Sequence, residues 1–251
     1  MSTWILLRGL TREAAHWGNF PAVFQQILPG ARTVMLDLPG NGVRHQETSP
    51  ATVAGMVAAC RAEVKRQGMA TPVHLLAMSL GAMVAAEWAR VAPGEVTACV
   101  LINTSVRPFS PMHHRLRPRN VPALLRLAWG SVAPEAAERR VLRLTSNGSD
   151  PQTAVINDWV NARTQRPVSP LNALRQLLAA ARYRAPAQAP DVPMLLLASA
   201  NDRLVDSRCS LALARAWHCP LVMHPDAGHD LPLDDADWVA GQTRHWLASL
   251  E

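Results

Sequence analysis

Six short apolar runs recur along the chain, at residues 4–7, 33–36, 73–78, 97–102, 194–198 and 221–223. None alternates polar and apolar positions cleanly, so each predicts a strand covered on both faces, as in a parallel sheet. The segments 51–68 and 81–92 between them are helical in composition. In the first, Met56, Ala59, Cys60 and Val64 recur at helical spacing and are expected to face the sheet. Strand–helix alternation of this kind implies parallel pairing with right-handed crossovers.

The alternation stops between residues 103 and 190. That stretch holds ten of the 20 prolines, short helical pieces, and an apolar stripe at Leu171, Leu174, Leu177 and Leu178. It reads as helices inserted over the sheet rather than as another βα unit. The expected organisation is therefore a core of 1–102 and 191–251 with a helical cap, or lid, at 103–190. A length of 251 residues fits one domain with an insertion.

Charge sharpens this division. The net charge of +6 resolves into +9 within 103–190 and −3 in the remainder. Arg107, Arg115, Arg117, Arg119 and Arg126 cluster in the insert, and two readings stand: a solvated face, or an electrostatic funnel for an acidic partner. Nucleic acid fits poorly, because the cluster lacks interleaved aromatics in a chain with one Tyr and three Phe. No apolar run reaches the roughly 18 residues of a membrane span. The opening Met1-Ser2-Thr3 leads straight into a strand-like run, too short for a signal h-region. Cys60, Cys99, Cys209 and Cys219 are scattered, without a C-x-x-C pair, and a cytoplasmic location is expected.

The chemistry begins at Val73-His74-Leu75-Leu76-Ala77-Met78-Ser79-Leu80-Gly81. A strand, then small-x-Ser-x-Gly, then a helix is the pattern of a nucleophile elbow, in which Ala77 and Gly81 must be small so that strand and helix can close on the turn. The serine then stands at a helix N-terminus, where free N–H groups favour a developing oxyanion. Two further segments follow predicted strands: Ala200-Asn201-Asp202-Arg203 and Asp226-Ala227-Gly228-His229-Asp230. Open α/β sheets place their sites at such strand ends. Ser79, Asp202 and His229 stand in the chain order of a Ser–Asp–His triad. Asp206 falls four residues late, and Asp226 and Asp230 crowd the histidine, so Asp202 is the preferred acid. The nine histidines show no H-E-x-x-H spacing, and no glycine-rich phosphate loop is present, so neither metal nor cofactor is expected.

These residues, with Leu7-Arg8-Gly9-Leu10 and Asp37-Leu38-Pro39-Gly40-Asn41-Gly42, carry a resemblance. The chain resembles the α/β-hydrolase superfamily over nearly its whole length, in particular its small serine carboxylesterases. It is similar in organisation to the group that cleaves the methyl ester of pimeloyl-acyl carrier protein. The resemblance implies an α/β-hydrolase fold with a six-stranded parallel sheet, the first two family strands being absent, helices on both faces and a helical cap. It implies an oxyanion hole at the backbone N–H groups of Leu10 and Leu80. Arg8 departs from the family, which usually has histidine before that glycine. An ester or thioester would be cleaved through an acyl-enzyme on Ser79, with the acyl group on an acidic carrier protein or in a small anionic ester. Trp17, Phe20 and Trp129 are the expected acyl-pocket aromatics. The superfamily leaves two alternatives open: cofactor-free haloperoxidase, perhydrolase or lyase chemistry on the same triad, and a receptor-like relative that only binds its ligand.

Overall fold

A computed structural model describes residues 2–129, 132–148 and 153–250. Six strands, β1 (Ser2–Leu7), β2 (Ala31–Met35), β3 (Val73–Met78), β4 (Val96–Ile102), β5 (Met194–Ser199) and β6 (Leu221–His224), form one sheet in the order β2-β1-β3-β4-β5-β6. Every pairing is parallel, from Ser2 opposite Ala31 at one edge to Ser199 opposite His224 at the other. Each strand matches one of the six expected apolar runs to within two residues at either end.

The runs are continuous because successive side chains enter different apolar layers. Ile5, Leu75, Leu101 and Leu196 point into one layer, whereas Leu6, Leu76, Val100 and Leu197 point into the other. The first layer is closed by α2 (Val53–Arg66) and α3 (Leu80–Val91), and the second by α1 (Phe20–Ile27) near the chain start. Helix α2 presents Met56, Cys60 and Val64 as expected, but Val57 takes the buried place and Ala59 is only partly covered.

Between β4 and β5 the chain leaves the sheet for α4 (Met112–Arg115), α5 (Val121–Trp129), α6 (Pro134–Thr145), α7 (Thr153–Gln165) and α8 (Pro170–Arg182). Its outgoing and returning arms pair where Ala185 N–H donates to Arg107 O at 2.7 Å. The chain ends with α9 (Arg208–Trp217), α10 (Leu231–Asp234) and α11 (Ala236–Ala248), of which α11 packs on α1 beneath the second layer.

Helix α8 meets the core differently from the leucine stripe that its sequence advertises. Leu171 is exposed and Leu174, Leu177 and Leu178 are half-buried, while Asn172, Gln176 and Ala179 are buried. Gln176 accepts from Thr11 N–H at 2.9 Å and donates to Asn41 Oδ1 and Ser49 Oγ. Asn172 accepts from Ser49 N–H and donates to Glu47 O. The helix is seated by polar pairs, which a search for apolar periodicity passes over. Among the described residues no helix is long and apolar enough to cross a membrane.

Candidate active site

Ser79 occupies the turn between β3 and α3 with φ +54° and ψ −118°, a strained conformation for a residue with a Cβ. The turn is anchored by Ser79 N–H donating to Ile102 O at 2.9 Å and by the Thr104 hydroxyl donating to Ser79 O. Gly81 shows why the following helix needs a small residue. A Cβ there would lie 2.5 Å from Leu7 O and 2.6 Å from Arg8 O. Leu80 opens α3, so its N–H has no acceptor within the helix. The Leu10 N–H, in the loop after β1, has no hydrogen-bond acceptor among the described residues.

His229 and Asp202 are brought together from the loops after β6 and β5. His229 Nδ1 lies 2.7 Å from Asp202 Oδ2, and both side chains are buried. The other carboxylate oxygen of Asp202 accepts from Leu204 and Val205 N–H at 2.7 and 2.9 Å, which fixes its rotamer. Burial pushes the His229 pKa down, but the charge and hydrogen bond of Asp202, with the nearby charge of Asp230, outweigh it and raise the net value above 6.5. The three competing acids are otherwise placed. Asp206 pairs with Arg208 and is held well below the usual carboxylate range, mainly by that hydrogen bond. Asp226 is exposed, and Asp230 pairs with Arg8.

Sequence reasoning missed two supports of the histidine loop. Arg8 makes a two-pronged pair with Asp230, at 3.0 and 2.5 Å, and thereby ties the residue after His229 to the end of β1. Asn103, at φ +45° just past β4, donates to His229 O at 2.9 Å and to Ser199 Oγ, and accepts from Ser199 N–H. Its signal was available: a polar residue of the type that tolerates positive φ, directly after an apolar run.

Ser79, His229, Leu10 and Arg8 line a cavity of about 200 Å³. The insert supplies much of its apolar wall through Leu124, Leu127, Val141, Leu144, Leu174 and Leu177. The expectation that Trp17 and Phe20 line this space is corrected. Both are buried in the layer below the sheet, where their rings stack at 5.3 Å and the Arg8 guanidinium lies 4.8 Å over Trp17. Their apolar faces are used to close α1 against the sheet, and neither reaches the cavity. Trp129 ends α5, and its side chain lies outside the described residues.

The arginine cluster of the insert divides. Arg115 is buried and donates to Ala180 and Ala181 O at the end of α8, and Arg117 faces Asp206 at 3.7 Å. Arg107, Arg119 and Arg126 are exposed.

Residues 4–242 match a family model described as "Alpha/beta hydrolase family". A pimeloyl-[acyl-carrier protein] methyl ester esterase of Xanthomonas campestris pv. campestris is 27% identical, with 98% of this chain and 95% of the relative aligned. One of the same description from Methylococcus capsulatus is 29% identical over 93% of this chain and 92% of its own length. Among solved structures, the enol-lactonase from Burkholderia xenovorans LB400 superposes with a TM-score of 0.79 at 17% identity, covering 98% of this chain and 91% of that one. At that identity the likeness speaks for the fold alone.

Proposed function

The chain belongs to the alpha/beta hydrolase family, and from that premise we propose that it is a carboxylic ester hydrolase working through an acyl-enzyme on Ser79. The observation that carries the proposal is the 2.7 Å contact between His229 and Asp202 beside a cavity that the strained Ser79 also lines. In this mechanism His229 takes the Ser79 hydroxyl proton as Oγ attacks the ester carbonyl. The Leu10 and Leu80 N–H groups donate to the oxyanion, and His229 returns the proton to the departing alcohol. Water, deprotonated by the same imidazole, then releases the acid. Asp202 holds Nδ1 protonated and steadies the imidazolium. The Arg8–Asp230 pair keeps the histidine loop against the loop after β1, which carries Leu10.

The 103–190 segment serves as the cap that closes the acyl cavity. The substrate is an acyl ester presented by an acidic carrier or itself anionic. The relatives named for carrier-protein ester cleavage support this reading, as do the exposed Arg107, Arg119 and Arg126. Long-range steering of this kind is screened by salt.

The experiment is hydrolysis of p-nitrophenyl esters from acetate to palmitate by the wild-type protein and Ser79→Ala. The proposal expects one preferred short chain length and loss of at least about 1,000-fold in kcat for the variant. Equal turnover by both proteins would remove Ser79 as nucleophile. Carrier-linked ester cleavage that ignores ionic strength would remove the steering role.

A further inference from the structure

One wall of the cavity carries charges that the acyl-transfer chemistry does not use. Arg12 Nη1 donates to Glu138 Oε2 at 2.6 Å and contacts His16 Nε2 at 2.8 Å, while its Cζ lies 4.4 Å over the Trp159 ring. Arg163 Nε donates to the other oxygen of the same Glu138 at 2.5 Å. One buried carboxylate is thus shared by two guanidinium groups. Burial drives the pKa of His16 well below 6.5, helped by the neighbouring arginines, so it brings no compensating or added charge. The remaining pairs, Arg8 with Asp230 and Arg166 with Glu13, are one to one. The wall therefore holds one positive charge in excess. The Arg12 side chain is also nine-tenths buried, and its Nη2, out of reach of solvent in this conformation, has no hydrogen-bond partner among the described residues. Arg12 and Arg163 both face the cavity.

A charged donor left unpaired in a buried place is costly, and an anionic oxygen satisfies it best. The guanidinium is already fixed by Glu138, His16 and Trp159, so little ordering remains to be done when a ligand arrives. Resting on the ester-hydrolase reading above, we infer that Arg12 and Arg163 form a carboxylate subsite, and that the substrate is a short ester bearing a carboxylate. The leucines named above line the apolar part of the cavity. At about 200 Å³ the space is below the ~300–1,000 Å³ of most small-molecule pockets, which sets the chain short. The carboxylate lies on either the acyl or the alcohol side of the ester.

The test compares kcat/KM for monomethyl glutarate with methyl pentanoate, and for the butyryl ester of glycolic acid with ethyl butyrate. The wild-type protein should prefer the carboxylate-bearing member of at least one pair by about 10- to 100-fold, the usual reach of one charge-assisted contact. The pair that shows the preference identifies the side. Arg12→Gln should bring that ratio near unity through KM rather than kcat, and Arg163→Gln should lower it partially. Binding of glutaramate against pentanamide to the unmutated protein, by calorimetry, covers the case in which a variant fails to fold, since the two differ only in the carboxylate. Ser79-dependent hydrolysis without any carboxylate preference would overturn the subsite and leave the hydrolase reading standing. Absence of Ser79-dependent hydrolysis would remove that reading, and glutaramate binding no better than pentanamide would then overturn the subsite by itself.

Discussion

In the sheet, Leu6, Leu76, Val100 and Leu197 pack into an apolar layer, and Ile5, Leu75, Leu101 and Leu196 into its counterpart. The insert adds Val106, Ala179 and Tyr183 to the second of these layers, but most of its named contacts with the core are of another kind: Glu138 on Arg12, Arg166 on Glu13, Gln176 on Thr11 and Asn41, and Asn172 on Ser49. Apolar burial is non-directional and tolerant of substitution of similar volume, whereas each polar pair demands one partner in one geometry. The candidate site lies on the boundary, with Ser79, Asp202 and His229 on loops at strand ends and the leucine wall of the cavity on the insert. The difference teaches a division of labour. The apolar layers carry the loops of the candidate site, and the polar seam shapes and charges the cavity beside them.

That division can be broken from either side. The largest effect is expected from Trp4→Ala, which empties a fully buried site in the lower layer. It should cost about 3–5 kcal/mol in denaturant unfolding and abolish catalysis only by unfolding the protein. Glu138→Ala should follow at about 3 kcal/mol, because it leaves the buried Arg12 without its carboxylate. Limited proteolysis should then cut within 103–190 before the sheet unfolds, and simultaneous loss of both regions would contradict the separation. Gly228→Ala should cost about 1–3 kcal/mol, since its Cβ would stand 2.6 Å from Thr145 O at the seam beside His229. Its kcat should fall together with insert protection.

The smallest effect is a titration. His229 must be neutral to act as base, and its pKa is raised above 6.5. Activity should therefore rise with pH through a midpoint above 6.5 and fall about tenfold per unit below it. The same shift adds stability that is full below the unfolded pKa and fades as pH rises through the folded one. A midpoint below 6.5 would show that burial, not Asp202, governs the imidazole.

The same contrast explains what could be read from the sequence. Strands such as β3 and β5 were legible because burial on both faces leaves an uninterrupted apolar run, and their ends pointed to the loops of Ser79 and Asp202. The seating of α8 was not, because Asn172 and Gln176 look like surface residues until their distant partners are known. Arg115 likewise reads as surface charge, yet it is buried on the carbonyls that end α8. Trp17 and Phe20 lie in the stretch after Gly9, a position that in the sequence points toward the pocket. The backbone instead turns them beneath the sheet, and the nearby Arg8 and Arg12 face the cavity.

The most direct test is intact-mass analysis after treatment with a fluorophosphonate, which reacts only with a serine made nucleophilic by its surroundings. The account predicts a single adduct, mapped to Ser79 by peptide sequencing, absent in Ser79→Ala and much slower in His229→Ala. An unlabelled wild-type protein that is fully folded, or an adduct on another serine, would contradict it.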